Sequence, residues 1–497
     1  MIAFALLALL VSCDDAINIK QPGEVNNPDV VYNTVPDLEK GLQGVYAVFS
    51  TESTIDFTAI FTDELAIGIN NGGQGLNDGL YNFQLNAGSD VASSIWGANY
   101  TLINFANRIL DAAKKIEPTA DETDPAFDLD LRRRYERVLW QLYTMRAYAH
   151  FQLLSYYSTD LKDDSALGVI ILDVVPNENY DLFLPRSTNA ECFAFIEADL
   201  ARADALTVPG IAATTVNPDF TLALKARMAA YRGRYQDALT YADELISFYP
   251  LVNTATDYQA IWADTSSSEI IFKLARISGD GQVGSFFASA SSSLNGSPFF
   301  EVGRALYDLY SDADIRSGAA LIDQTSTKSE DFGFTPDTDP QYTAHDVLVV
   351  NKYPGNEAQN DPLLNDIKVF RVSEMYLIKA EAYVGLGNLT GAATTLRTLR
   401  AARTGISSQP TYANATAAWA DILLERRKEL ALEGFRYLDI KRLGVLAGNK
   451  GIERYTRDCA KYGSCNLDPT DHRFTMPIPT TELTANPNIR SQQNPGY

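Results

Sequence analysis

Asp63 and Glu64 are the first residues in this chain to test for chemistry, two adjacent carboxylates bordering a Gly- and Asn-rich stretch. A glycosidase needs two carboxyl groups about 5–10 Å apart on either side of a glycosidic bond. Neighbours on one strand or helix point in different directions, so this pair argues weakly for such a site. The histidines are His150, His345 and His472. His150 sits inside an apolar helical run and reads as a hydrogen-bonded core residue. His345 and His472 lie in loops with no nucleophile motif beside them. GxSxG, HExxH, a P-loop and a strand-to-helix GxGxxG are all absent from the sequence. No catalytic residue and no cofactor is therefore expected. Cys459 and Cys465 flank a short Gly-containing segment, DCAKYGSCN, and are expected to pair as a disulfide in an oxidising compartment. A metal is not expected there, since His472 is the one nearby histidine and no second cysteine pair exists. Cys192, in the apolar run ECFAFIEADL, reads as a buried free thiol.

The elements that would position these groups are mostly helices. Apolar residues recur at helical spacing through Leu38, Leu42, Val45 and Phe49, and again from Arg132 to Tyr157. Two stretches align with each other, LKARMAAYRGRYQDALTYADELI from Leu224 and IKAEAYVGLGNLTGAATTLRTLR from Ile378. Lys225/Lys379, Ala226/Ala380, Gly233/Gly387, Ala238/Ala392 and Leu245/Leu399 coincide. Small residues at helix crossings with a Gly at the turn are what tetratricopeptide helix pairs require. The chain is thus expected to be mainly α, with four such pairs at about 37–116, 132–206, 218–248 and 370–403 forming a curved scaffold. Long insertions at about 51–94 and 278–300, rich in Gly, Asn and Ser, interrupt it and are expected to build a separate face. A few short strands complete the reading, one of them at Glu269 to Leu274.

Charge and the N-terminus constrain location. Against 41 basic residues stand 63 acidic ones, a formal net charge of −22, which disfavours nucleic acid or an anionic lipid surface as a partner. Residues 2 to 11 are nearly all apolar and run into Leu10-Val11-Ser12-Cys13, which matches the bacterial lipobox. That run is too short to span a bilayer and reads as a signal peptide, residues 1–13. Cys13 would become the lipid-anchored first mature residue. Residues 14–35 then read as a tether and lead-in to one domain over 36–497.

The stretch from Asp421 to Gly444, DILLERRKELALEGFRYLDIKRLG, combines an apolar stripe with dense alternating charge. Its residue pattern alone reads as a solvated helix laced with ion pairs, interrupted by Gly434. The string ERRKELALEGFRYLDIKR closely resembles the C-terminal signature of the RagB/SusD family, surface glycan-binding lipoproteins of Bacteroidetes. The resemblance extends to LYDLYSDADIR, NKYPG, FRVSEMYLIKAEAY and the C-terminal RFTMPIPTTELTANPNIRSQQNPGY, and is strongest from Leu306 onward. It implies a SusD-like fold and a non-enzymatic outer-membrane lipoprotein exposed at the cell surface. Such a protein would capture a nutrient glycan and pass it to a SusC-like TonB-dependent transporter. The acidic pair Asp14-Asp15 after Cys13 resembles the signal that sends such lipoproteins to the outer face of the outer membrane. Peptide in place of glycan, a tetratricopeptide interaction scaffold, and a surface glycosidase are the alternatives. The resemblance places ligand contacts in the two insertions. The expected stacking surfaces are Tyr81, Trp96, Phe286 and Phe287, and the expected hydroxyl partners are Asp63, Asn70, Asn71 and Asn99.

Overall fold

In the computed structural model the described residues are 31–68, 78–175, 182–206, 212–287, 299–317, 348–361, 363–460 and 462–497. Cys13, Asp14, Asp15, Asn70, Asn71 and His345 lie outside them.

Helices of eight or more residues are numbered α1 Val35–Val48, α2 Glu52–Phe61, α3 Asp90–Ala113, α4 Leu129–Tyr157, α5 Asn189–Asp204, α6 Pro218–Arg232, α7 Tyr235–Phe248, α8 Ala255–Trp262, α9 Val372–Gly385, α10 Leu389–Thr404, α11 Ala415–Glu429 and α12 Arg436–Leu443. Among the described residues, six short strands form three antiparallel two-stranded ladders. They are β1 Leu65–Ile67 with β3 Phe300–Val302, β2 Ile270–Leu274 with β4 Ile367–Arg371, and β5 Ile452–Glu453 with β6 Asn466–Leu467.

Local chemistry sets the helix ends. Asp128, Thr188, Asn217, Asn388 and Asn414 each cap a helix N-terminus through the side chain, satisfying amides that have no intrahelical partner. The aligned glycines Gly233 and Gly387 sit at φ +72 and +79, so each α6–α7 and α9–α10 turn uses the left-handed region that a side chain resists. The matched small and apolar residues behind those turns, Ala238, Leu245, Ala392 and Leu399, are fully buried. The two pairs meet closely: a Cβ on Gly385 would fall 2.1 Å from the Tyr235 ring.

Arg–carboxylate pairs bolt helix to helix inside the core. Arg146 of α4 grips Asp199 of α5 with two bonds of 2.7 Å. Arg227 of α6 holds Glu374 of α9 at 2.7 and 2.6 Å. Arg442 of α12 holds Glu381 of α9 at 2.6 and 2.8 Å. His150 is fully buried as expected, its Nδ1 2.9 Å from the Arg146 carbonyl and its Nε2 accepting from the Leu172 amide at 3.3 Å. Burial pushes its pKa down to about 4. Cys192 is a buried free thiol, and Cys459 and Cys465 form a disulfide.

Two expectations need correction. Residues 51–94 are not loop throughout. α2 lies within them and buries Ile55, Phe57, Ile60 and Phe61, and α3 starts at Asp90, before Trp96. The signature from Asp421 to Gly444 is neither one helix nor solvated. α11 ends at Glu429, Leu432 and Gly434 take φ +60 and +86, and α12 begins at Arg436. Its charges are buried: Glu425, Arg426, Glu429 and Asp439 are each 1% exposed or less. Alternating charge at helical spacing cannot distinguish a solvated face from a face whose counter-charges arrive from distant segments.

Those counter-charges converge on Glu429. Its carboxylate accepts from Arg403 at 2.9 and 3.0 Å, from Arg371 at 3.1 Å and from Arg316 at 3.0 Å. Arg403 also bonds Glu269, just before β2, and Arg371 also bonds Glu433. Burial alone would raise the Glu429 pKa, but Arg403, Arg371 and Arg316 hold it well below the carboxylate range.

Candidate functional site

The two insertions expected to carry the ligand face meet through backbone pairing. β1 and β3 run antiparallel with Leu65 opposite Val302, Ala66 opposite Glu301 and Ile67 opposite Phe300. The ladder is extended at one end by Gly68 donating to the Phe299 carbonyl at 2.8 Å, and at the other by Gly303 donating to Glu64 at 2.8 Å.

An aromatic stack backs this ladder. Phe286 lies face to face with Phe300, centroids 4.7 Å apart, and meets Phe287 edge-on at 5.2 Å. Phe287 in turn stacks on Tyr353 at 5.4 Å, and the Tyr353 hydroxyl donates to the Leu432 carbonyl at 2.8 Å. Phe287 is fully buried, which removes it as a sugar platform, whereas Phe286 is half-buried. Phe300, which sequence reasoning did not rank, is the ring that stacks on Phe286.

Asp63 is displaced from its expected role by its partners. Arg436 donates to both of its oxygens at 2.8 and 3.0 Å, the Glu453 amide adds a bond at 3.2 Å, and Arg427 stands 3.3 Å away. Burial opposes the charge, but Arg427 and Arg436 overcome it and hold the Asp63 carboxyl below its usual range. Glu64 next door is pushed up to about 8 by burial, while its Oε1 accepts from the Leu432 amide at 2.9 Å. Carboxyl groups with pKa values driven apart are what an acid–base pair would show. Here both are 1% exposed, so no glycosidic oxygen can reach them. The pair anchors β1 to the turn between α11 and α12.

Tyr81 is also corrected: it is fully buried beneath the Arg454 guanidinium, 3.7 Å from its ring centroid, with Tyr462 edge-on at 5.5 Å. Trp96 is 5% exposed, packs on Tyr100 and Tyr157 at 4.9 Å each, and donates from Nε1 to Glu482 at 3.3 Å. Neither ring offers a face to a sugar. Asn99 is partly exposed and turns its amide back onto the Ile95 carbonyl at 2.8 Å. Asn70 and Asn71 fall outside the described residues. Burial of single aromatics is set by tertiary packing, which a Gly- and Asn-rich context does not reveal.

Sequence reasoning gave no sign of a cavity of ≈ 530 Å³ between α1, α4 and the end of β2. Arg134 and Arg137, three residues apart on α4, were the available signal. Among the described residues no group of three or more His, Cys, Asp or Glu side chains could hold a metal ion, and no helix is long and apolar enough to cross a membrane.

Comparison with known proteins bears on both ends of the chain. A sequence model described as the SusD family matches residues 346–497, and one described as starch-binding, associating with outer membrane, matches residues 26–231. A SusD-like protein of Formosa agariphila is 24% identical over 99% of this chain and 98% of its own. Among solved structures, a SusD superfamily protein from Bacteroides thetaiotaomicron superposes with a TM-score of 0.75 at 23% identity, covering 93% of this chain and all of that one. Surface glycan-binding protein A from Bacteroides fluxus gives 0.67 at 19% identity, covering 93% and 99%. With its helical fold shared over nearly its full length and family matches at both ends, the chain belongs to the SusD/RagB family.

Proposed function

We propose that this protein is a non-enzymatic, lipid-anchored outer-membrane protein that captures a nutrient glycan at the cell surface and delivers it to a SusC-like TonB-dependent transporter. The observation that carries the reading is family membership along nearly the whole chain, joined to an aromatic-backed junction of the two insertions. Relatives described as starch-binding and as surface glycan-binding support a sugar ligand, and the family description supports association with the outer membrane. Cys13, within its lipobox, is the anchor in this reading.

The ligand face in this proposal is the Gly68–Phe299 end of the β1–β3 ladder, with Phe286 as its stacking ring. A sugar's apolar face would lie on the exposed part of that ring, and its hydroxyls would seek amide and backbone partners around it. Asn70 and Asn71 follow Gly68 closely in sequence and remain the proposed hydroxyl partners. Water competes for every such bond, so affinity for one short glycan should be modest.

Calorimetry of the full chain against laminarin, soluble starch and a mixed oligopeptide pool tests the reading. A glycan should bind, and Phe286→Ala should weaken it about fivefold or more, from roughly 1 kcal/mol of aromatic contact. Binding of peptide but no glycan would sink the ligand assignment. For the anchor, Cys13→Ala should leave the membrane fraction; a variant that still sediments with the outer membrane would refute it.

A further inference from the structure

The cavity between α1, α4 and the end of β2 contrasts with the chain that contains it. The molecule carries a formal charge of −22, yet Arg134, Arg137 and Arg276 line this one hollow, with Glu39 as the sole acidic side chain among its lining residues. Arg134 is engaged, donating to Glu39 from Nε at 2.9 Å and from Nη2 at 2.6 Å. The other two guanidiniums each keep a buried Nε–H without a hydrogen bond. Arg137 lies one turn along α4 from Arg134, and its Nε is buried without a hydrogen-bond partner. Arg276 is 6% exposed; its Nη2 donates to the Phe49 carbonyl at 3.1 Å, but its Nε has no hydrogen bond and only Glu52 Oε1 nearby at 3.5 Å.

A buried charged donor without a hydrogen bond is costly, and two such donors on residues lining one cavity leave room there for an added acceptor. Guanidinium forks match planar carboxylates, each able to give two parallel bonds. Leu42, Val138 and Leu274 add apolar surface to the lining, as the face of a pyranose ring requires. A volume of ≈ 530 Å³ falls within the range of about 300–1,000 Å³ typical of small-molecule sites. The surrounding negative field disfavours a long polyanion, whose further charges would project over an acidic surface.

We propose that this cavity is a second ligand site, separate from the β1–β3 face, and that it takes a single carboxylate-bearing sugar unit of the hexuronate class through Arg137 and Arg276. It stands independently of glycan capture at Phe286.

Calorimetric titration of the full chain with D-glucuronate, D-glucose and sodium sulfate tests it. Glucuronate should bind and glucose at the same concentration should not, and binding should weaken as salt rises. Arg137→Gln should lower glucuronate affinity about tenfold or more, the scale of lost charge-assisted hydrogen bonds, and leave the melting temperature unchanged because its guanidinium makes no hydrogen bond to the protein. Arg276→Gln should weaken binding similarly; should it fail to fold, Gln43→Glu at the cavity mouth provides the equivalent loss by repulsion. Phe286→Ala should leave glucuronate binding intact, which separates this site from the glycan face. Absence of glucuronate binding, unchanged affinity in Arg137→Gln, or sulfate binding as tightly as glucuronate would each overturn the assignment.

Discussion

Trp96 shows what residue-scale reading can and cannot do. Its type suits a sugar platform, but its ring is enclosed by Tyr100 and Tyr157 and its one polar atom reaches Glu482 near the C-terminus. Trp96→Ala should therefore cost about 3–5 kcal/mol of stability, as truncating a large buried aromatic does, and leave glycan affinity of the folded fraction unchanged; chemical denaturation followed by calorimetry would check both. His150 is a residue whose role was legible, because a histidine inside an apolar helix must find partners there. With its Nδ1 facing a carbonyl and its Nε2 accepting an amide, the neutral ring fits and a second ring proton has no acceptor. Arg146 adds repulsion and Asp199 and Asp173 partly offset it. The folded pKa of about 4 lies below the ordinary 6.5, so the folded state binds fewer protons across that window. Stability should fall as pH drops from 6.5 to 4, by up to about 3 kcal/mol from this group. His150→Gln should flatten that segment of a stability–pH curve; an unchanged slope would mean other groups govern it.

At the scale of elements, helix pairing and turn position were readable, and the break in the signature was readable only in part. Gly233 and Gly387 announced their turns because periodicity stopped where a Gly stood, and both occupy left-handed backbone. Gly434 raised the question of a helix end, but nothing local required the chain to turn at Leu432 as well. That turn is fixed from outside, by Glu64 on the Leu432 amide, Tyr353 on the Leu432 carbonyl and Thr58 on the Gly434 carbonyl at 3.3 Å. Glycine at 434 is required by its φ of +86; an added Cβ would meet Ile55 of α2 at 3.4–3.5 Å, an ordinary contact, so the backbone conformation alone decides. Gly434→Ala should thus destabilise by about 1 kcal/mol or more. Gly97 is the natural contrast, lying within α3 with open space where a Cβ would go. Gly97→Ala should stabilise by roughly 0.5–1 kcal/mol. Thermal melts of the two variants should move in opposite directions. Shifts of the same sign would show that backbone conformation is not the deciding factor.

For the whole molecule, the family signature works as a clamp between segments far apart in sequence. Glu429 ends α11, yet its three arginines come from β4, from α10 and from Arg316, and through Arg403 it is joined to Glu269 at the start of β2. The mainly helical fold could be read from periodicity and resemblance, whereas this convergence could not, since no spacing within Asp421–Gly444 names Arg316, Arg371 or Arg403. A buried ion network need not stabilise relative to an apolar replacement, but removing one member strips a shared counter-charge from the buried groups that remain. Glu429→Gln keeps the shape and removes a charge that three buried guanidiniums share, each of which retains a second carboxylate, so it should cost up to about 3 kcal/mol near neutral pH. The sign with pH follows from the depressed folded pKa. The stabilisation is complete above the unfolded glutamate value of about 4.3 and is lost as pH falls through the folded value. The wild type should therefore lose stability steeply below about pH 4, in a window adjoining that of His150. Glu429→Gln should lose less over the same interval, and the two denaturation curves should converge toward low pH. Parallel curves down to acid would show that Glu429 is not the carboxylate whose protonation loosens the clamp.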